Sequence, residues 1–239
     1  MTHPSPPPAR RPRTGILAGA PVTQAIVIVT VACWLVGRIP GAEPGRLLGF
    51  SPLLSAAEPW RALTVMVVHA DMLHLLFNMV GVLLFGSFVE RSLGHARFLA
   101  VYLLSGLGGS AAVLLLAAPY EPGWFSLHVG ASGALFGLLG VVLTPTRSLD
   151  RNWGGAAVFL VLNVIYSAVS PGISWESHTG GVVVGFALGC AALLPRRGGQ
   201  HPTRDRAVTV WFWAAAGVLL ATMIVAVLPG LRASALMTG

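Results

Sequence analysis

The sequence contains no lysine, and it has little charge of either sign. Only 10% of its 239 residues are charged, whereas charged residues make up about a quarter of a typical soluble domain. Apolar residues make up 55% of the chain, so too few charged side chains remain to cover a water-exposed protein of this size. The scarcity of charge argues against a soluble domain and indicates a chain whose outer surface faces lipid.

Cysteine is also scarce, and the positive charge is not arranged as a patch. Cys33 and Cys190 both lie within apolar runs and have no paired spacing, so we interpret them as small buried apolar residues. The net charge of +7 comes from 15 arginines. They occur as short clusters between apolar runs and never form a stripe on a polar domain, which argues against nucleic acid as a partner.

Seven apolar runs predict an all-α polytopic membrane protein, because roughly 20 apolar residues span a bilayer. A basic tail rich in proline and arginine (1–14) is predicted to be disordered and cytoplasmic. We place a membrane domain at 15–195, a basic cytoplasmic loop at 196–206, and a seventh helix with a short tail at 207–239. Residues 38–62 are expected to form an interfacial loop. The predicted spans cover about 16–37, 63–89, 98–118, 132–143, 156–169, 178–194 and 207–228.

The arginine distribution predicts the orientation of these spans. Eleven arginines fall in the N-terminal tail and the alternate connections on its side, and four fall on the other side. The positive-inside rule then places the N-terminus in the cytoplasm and the C-terminus outside. Spans two, four and six therefore all run from the outer to the inner face.

Polar residues stand at the beginnings of these same three spans. His69, His74 and Asn78 open the second, Ser132 opens the fourth, and His178 opens the sixth. All five are predicted to meet near the outer leaflet. Because His69 lies about 140° from His74 on a helical wheel, we expect it at the helix mouth and not beside His74 and Asn78.

Small residues predict close contact between spans four and six. Gly133 and Gly137 form one glycine step, and Gly181 and Gly185 continue the helical face of His178. Such contact would carry the His178 imidazole to the Ser132 hydroxyl. Phe136, one turn after Ser132, is expected to stack on that imidazole.

A serine beside a histidine is an activated nucleophile in principle. The Ser132 amide, at a helix N-terminus, and the side chains of His74 and Asn78 are candidate donors to an oxyanion. Glu176 and Asp71 lie on the outer side but in loop or interfacial positions, so we predict a dyad without a carboxylate.

Other assignments of these residues remain open. His128 is a rival base, although it precedes the helix and no glycine face docks it. His95 lies on the cytoplasmic side. No metal or cofactor is expected, because no carboxylate or cysteine joins the histidines and no His-Glu-x-x-His spacing occurs. A transporter is less favoured, since no acidic residue lies at mid-membrane and no repeat relates the two halves.

The motifs resemble those of the rhomboid family of intramembrane serine proteases. Trp60-Arg61, His69…His74…Asn78, Gly130-Ala131-Ser132-Gly133 and His178-x-x-Gly181-x-x-x-Gly185 are similar to the family's motifs and follow the same order. The seventh span is similar to the six-plus-one arrangement of part of the family. Glu90-Arg91 departs from the Glu-x-Arg spacing of some members, and we interpret it as an inner-surface polar cluster.

The resemblance implies that Ser132 is the nucleophile and His178 the general base. It also implies that His74, Asn78 and the Ser132 amide stabilise the oxyanion, and that Gly130 shapes the turn before the serine. The implied substrates are transmembrane proteins with small or helix-breaking residues near the cut. The alternative is a catalytically silent relative that binds transmembrane helices, which would be expected to have lost Ser132 or His178.

Overall fold

A computed structural model describes residues 18–118, 121–145, 153–169, 174–193 and 202–238. The predicted tail 1–14, and residues 196–201 of the predicted basic loop, lie outside the described residues. Seven long helices account for most of the described chain. They are α1 (Pro21–Val36), α2 (Met72–Leu93), α3 (His95–Leu116), α4 (Ser132–Val142), α5 (Trp153–Val169), α6 (Trp175–Leu193) and α7 (Pro202–Thr238).

The helices correspond in number and order to the predicted spans. Among the described residues, three are long and apolar enough to cross a bilayer by length and composition: Met72–Leu93, His95–Leu116 and Arg206–Leu228. Pro21–Val36 and Ser132–Val142 are apolar but shorter. Large apolar side chains on the outside of the bundle are exposed, as lipid-facing helices require. The chain is an all-α polytopic membrane protein.

The start of α2 differs from the sequence prediction by nine residues. The apolar run was expected to become helical at about Leu63, but α2 begins at Met72, where the Asp71 carboxylate accepts a hydrogen bond from the His74 amide (2.8 Å). Asp71 is thus the N-cap, a role its short side chain favours. The residues before it form two short helical segments, Arg61–Thr64 and Val65–Val67. Within α2, residues Val82–Gly86 form one wide π-helical turn.

The loop that precedes α2 is more ordered than an interfacial loop requires. It contains the short helical segments Pro44–Leu48 and Pro52–Leu54. The Arg61 side chain is buried and donates to the carbonyls of Arg46 (2.7 Å) and Gly49 (2.8 Å), besides pairing with Glu58. Trp60 is about half exposed (52%). In the Trp-Arg pair, Arg61 therefore stabilises the loop through hydrogen bonds to two of its carbonyls, whereas Trp60 remains at the surface.

Helices α3, α4 and α6 form the centre of the bundle, and glycines set their separation. A Cβ placed on Gly181 or Gly185 would overlap the carbonyl oxygen of Gly133 or Gly137, respectively. A Cβ on Gly189 would lie 3.1 Å from the Cα of Val141. In each of the three contacts the residue of α6 lies 48 positions after its partner in α4. The two helices therefore run parallel and keep the same register along the contact. The expected glycine contact between spans four and six is thus present in the fold.

Glu90 joins α1 to α2 at the opposite end of the bundle from Ser132. Its carboxylate is 1% exposed and accepts hydrogen bonds from the amides of Val22 (3.0 Å) and Thr23 (2.8 Å) and from the Thr23 hydroxyl (2.7 Å). His95 lies 2.6 Å away through Nδ1. Glu90 thus has polar partners at that end of the bundle, where an inner-surface polar cluster was expected, but its carboxylate is buried and not exposed. A residue from another helix caps the N-terminus of α1, which has no side-chain cap of its own.

Replacing Glu90 by alanine is expected to destabilise the protein by about 3 kcal/mol or more, because buried donors on α1 lose their acceptor. Thermal unfolding in detergent measures this as a lowered Tm. The control is Glu43→Gln, because Glu43 pairs with Arg46 at an exposed site where such a pair contributes about 0–1 kcal/mol. Equal Tm values for the two variants would contradict the capping role.

Candidate functional site

The beginnings of α2, α4 and α6 meet at one end of the bundle around an open pocket. It encloses about 360 Å³, a volume that includes space open to the solvent. Its walls include one or more residues from each of the three helices and from the segment before α4: His74, His128, Gly130, Ser132, Ser174 and Ser177. The convergence of these three helix beginnings, expected from the arginine count, is confirmed.

Ser132 is the first residue of α4, and the segment before it is hydrogen-bonded to residues in the first third of the chain. His128 and Phe50 exchange two backbone hydrogen bonds (2.9 and 2.7 Å) as an isolated antiparallel bridge. The Gly130 amide donates to the Val65 carbonyl (3.1 Å). Because α4 begins directly after these links, they determine the position of the Ser132 hydroxyl.

Gly130 occupies a position that only glycine fits without strain. Its φ is +126°, a region that residues with a Cβ rarely adopt. A Cβ there would also lie 2.7 Å from both Cε1 and Nε2 of His74, and 3.8 Å from Oγ of Ser132. The absent side chain thus leaves room for the His74 imidazole against the turn that precedes the serine.

His178 lies one turn before Gly181 on α6, and its ring stacks on Phe136 of α4. The ring centroids are 4.1 Å apart and the planes differ by 6°. Phe136 is four residues after Ser132 and therefore on the same face of α4. No hydrogen bond joins the Ser132 hydroxyl to His178 in the described part of the chain. Such bonds are often long in substrate-free sites and shorten when substrate binds.

His74 and Asn78 share a face of α2, and they differ in their relation to the pocket. His74 lines it, whereas Asn78 is buried (4% exposed) below it. The Asn78 amide nitrogen donates to the His74 carbonyl (2.9 Å), and its Oδ1 is buried with no partner in the described residues. One of the two amide N–H groups of Asn78 is thus used within the helix.

His69 lies at the mouth of α2, as expected, but the prediction that it would not lie beside His74 was wrong. Its ring lies 5.0 Å from the ring of His74 in an edge-to-face arrangement, so the two histidines are neighbours. The helical wheel failed because residues 68–71 precede α2 and are not helical. The Nε2 of His69 accepts a hydrogen bond from the Ala131 amide (3.4 Å), directly before Ser132. Recognition of Asp71 as an N-cap would have revealed the error.

The two carboxylates considered as triad members have other partners. Asp71 caps α2, and Glu176 accepts a hydrogen bond from the Ser174 hydroxyl (2.9 Å) in the first turn of α6. Within the described ranges, no group of three histidine, cysteine or acidic residues could hold a metal ion. His95 contacts Glu90 at the other end of the bundle. The chemistry available at the pocket is therefore that of hydroxyls, imidazoles and backbone amides.

The fold and the site together define a class: helical membrane proteins with a polar, serine- and histidine-lined pocket at one end of the bundle. The sequence profile of the Rhomboid domain family matches residues 56–195, more than half of the chain. The chain belongs to the rhomboid family.

Curated relatives support this membership. The chain is 33% identical over 177 residues to the "Putative rhomboid protease YdcA" of Bacillus subtilis, covering 70% of this chain and 86% of that protein. It is 34% identical over 167 residues to "RHOMBOID-like protein 6, mitochondrial" of Arabidopsis thaliana, covering 66% and 52%. A third relative, the "Rhomboid protease GluP" of B. subtilis, is 35% identical over 151 residues, covering 61% and 28%. The matched segment thus spans only about half of the Arabidopsis protein and less of GluP.

Proposed function

We propose that the protein is an intramembrane serine endopeptidase that works through a Ser132–His178 dyad. The observation that carries the proposal is the meeting of the α4 and α6 beginnings, which sets the His178 ring on Phe136, one turn from Ser132. His178 removes the hydroxyl proton of Ser132 as its oxygen attacks a substrate carbonyl carbon. The proton then passes to the leaving amine, and an acyl-enzyme remains. Water, deprotonated by the same imidazole, releases the acid.

Charge on the tetrahedral oxygen requires donors that are in place beforehand. The Ser132 amide belongs to the first turn of α4, where amide groups have no partner within the helix. The His74 ring, held against Gly130, is the second donor. The side-chain amide of Asn78 has a second N–H that is not used within α2, and this N–H is the third donor. His69 acts indirectly, since it binds the Ala131 amide and so positions the turn.

The substrates we propose are transmembrane proteins, cut in or beside their spanning segments. A peptide bond within a regular helix is shielded from attack, so residues that loosen a helix are expected near the cut. The arginine count supports a cell membrane protein whose pocket opens on the extracytoplasmic side. The second candidate function is a silent relative that binds transmembrane helices. A silent relative would differ from a protease in that Ser132 would not react as a nucleophile.

A fluorophosphonate probe tests both the chemistry and the orientation. A nucleophilic serine forms a stable bond to phosphorus, so wild-type protein is expected to be labelled and Ser132→Ala is not. A membrane-impermeant probe added to intact cells is expected to label equally, because the pocket faces outward. Absence of labelling with a permeant probe would favour the silent relative. Labelling by the permeant probe alone would contradict the orientation.

A further inference from the structure

Asn163 is a buried polar residue on α5, a helix whose other described side chains mostly face outward. It is 8% exposed. Four apolar side chains of the same helix are between 45% and 61% exposed: Val158, Val161, Leu162 and Ile165. Burying an amide costs free energy unless the amide finds a hydrogen-bond partner, and polar residues within apolar helices are rare. The position of Asn163 in the interior therefore requires an explanation.

Two ring contacts, one on each side of Asn163, determine where it lies along α2. The Tyr166 ring, one turn after Asn163, lies 5.2 Å from the Phe77 ring. The Phe159 ring, one turn before Asn163, lies 5.0 Å from the Phe85 ring in an edge-to-face arrangement. Residues three or four apart share one face of a helix, so Asn163 lies on the face of α5 that packs against α2.

Asn78 lies on the facing side of α2, between the same two contacts. The His74 ring lies 6.4 Å from the Tyr166 ring, and a Cβ on Gly81 would lie 2.6 Å from the Phe159 ring. Asn78 is four residues after His74 and three before Gly81, so it shares their face. It is also buried (4% exposed). The two asparagines thus occupy one level of the contact between α2 and α5.

The two amides have complementary groups that their own helices do not use. The amide nitrogen of Asn78 donates to the His74 carbonyl, and that of Asn163 donates to the Phe159 carbonyl, both at 2.9 Å. An amide nitrogen carries two hydrogens, so each side chain keeps a second N–H. The Oδ1 of Asn78 is buried with no partner in the described residues. Buried polar atoms are rarely left in this state, and Asn163 carries the donor that this oxygen lacks.

We propose that Asn163 is a positioning residue for the oxyanion donor Asn78, and that its second N–H donates to the Asn78 Oδ1 when substrate is bound. This inference rests on the proposed protease function. The two side chains are not hydrogen-bonded in the described structure, and bonds of a catalytic site often shorten to full strength only in the substrate complex. Asn163 itself touches neither the substrate nor the reacting atoms.

A bond at Oδ1 would improve Asn78 as a donor for two physical reasons. The torsion that turns the plane of an asparagine amide is broad, so a single hydrogen bond leaves that plane poorly fixed. A second bond at the oxygen fixes the plane and keeps the remaining N–H available to the oxyanion. It also polarises the amide, which strengthens that N–H as a donor. The benefit arises when charge develops on the substrate oxygen, so it affects kcat and not KM.

The test is a double-mutant cycle between Asn163→Leu and Asn78→Ala, measured as cleavage of a single-span substrate in liposomes. Asn163→Leu is expected to lower kcat about 3- to 10-fold with KM unchanged, the factor that one neutral hydrogen bond supplies. Asn78→Ala removes an oxyanion donor and is expected to lower kcat on the order of 10²-fold. In the double variant, the leucine should change kcat by less than about 2-fold, because its effect passes through Asn78.

Stability and a conservative variant separate positioning from packing. Leucine is close to asparagine in volume and buries no polar group, so the Tm of Asn163→Leu in detergent is expected to equal or exceed that of wild type. Asn163→Gln keeps a donor and is expected to have a kcat between those of Asn163→Leu and wild type. Leu162→Ala, which alters an exposed neighbour on α5, is the matched control with unchanged kcat and KM.

The outcomes distinguish failure of this role from failure of the protease function. The positioning role is overturned if Asn163→Leu leaves kcat unchanged, or lowers it by the same factor with and without Asn78. Ser132→Ala is run in parallel, and cleavage that survives there overturns the protease function itself. Where cleavage depends on Ser132, additivity in the cycle counts against Asn163 alone. Wild type that neither cleaves substrate nor reacts with a fluorophosphonate overturns both.

Discussion

Replacing Ser132 by alanine is expected to abolish cleavage of a single-span substrate in liposomes, with kcat/KM lowered on the order of 10⁴-fold or more. Replacing His178 by alanine should cost at least about 10³-fold, because the proposed dyad then lacks the base that accepts the serine proton. The double variant should have a kcat/KM no lower than that of the less active single variant, since the two side chains act as one unit. Initial rates of product formation measure all three.

The His178 variants need a control for packing, because alanine also removes the ring that stacks on Phe136. His178→Phe keeps an aromatic ring there and removes only the base, so it should be folded and inactive. Thr179→Ala, which alters an exposed neighbour whose hydroxyl bonds the Trp175 carbonyl, should retain wild-type rates. Appreciable activity in His178→Phe would reject His178 as the base and return attention to His128.

Adding one methyl group at Gly181 or Gly185 is expected to have the second largest effect. The new Cβ would overlap a backbone carbonyl oxygen of α4, and backbone cannot move aside as a flexible side chain can. We expect Gly185→Ala to destabilise the bundle by about 3 kcal/mol, at the upper end for overpacking. This would outweigh the roughly 1 kcal/mol that alanine gains over glycine in a helix. Thermal unfolding in detergent measures the net change.

The same substitution should affect catalysis, because the glycine contacts hold His178 beside α4. A displacement of about 1 Å in a catalytic site can cost on the order of 10²-fold in rate. Gly217→Ala provides the matched control. Gly217 lies in α7, and among the described residues no atom beyond its own helical turn lies within 4 Å of an added Cβ, so the change should be neutral or slightly stabilising. A Gly185→Ala protein as stable and active as Gly217→Ala would show that α4 and α6 can separate freely.

Much of the fold could be predicted from local pattern. The apolar runs located the helices, and for α4 the predicted and observed boundaries differ by one residue. The arginine count predicted that the polar beginnings of α2, α4 and α6 would meet, because alternation across a membrane leaves few arrangements. Family membership followed from the order and spacing of the same residues. The roles of Ser132 and His178 remain proposals.

Where the sequence prediction failed, the reason was a contact between residues far apart in the chain. Hydropathy extended the second span back to Leu63, since Ala62, Val65 and Met66 are apolar, yet these residues pack in the core as short segments. Because of that error, His69 was not expected to lie beside His74. Glu90 was assigned only to an inner-surface polar cluster, because nothing local in the sequence reveals that α1 would present uncapped amides to its carboxylate.

The sequence by itself determined that the chain is a bundle of apolar helices and that the polar beginnings of α2, α4 and α6 lie at one end of it. These properties depend on the length of the apolar runs and on the positions of the charged residues between them, both of which are local features of the sequence. Only the tertiary structure decided that His69 binds the Ala131 amide before Ser132, that Glu90 caps another helix, and that the backbone of His128 pairs with that of Phe50. Each of these depends on one hydrogen bond or one ring contact across many residues, and such contacts exist only once the helices have packed.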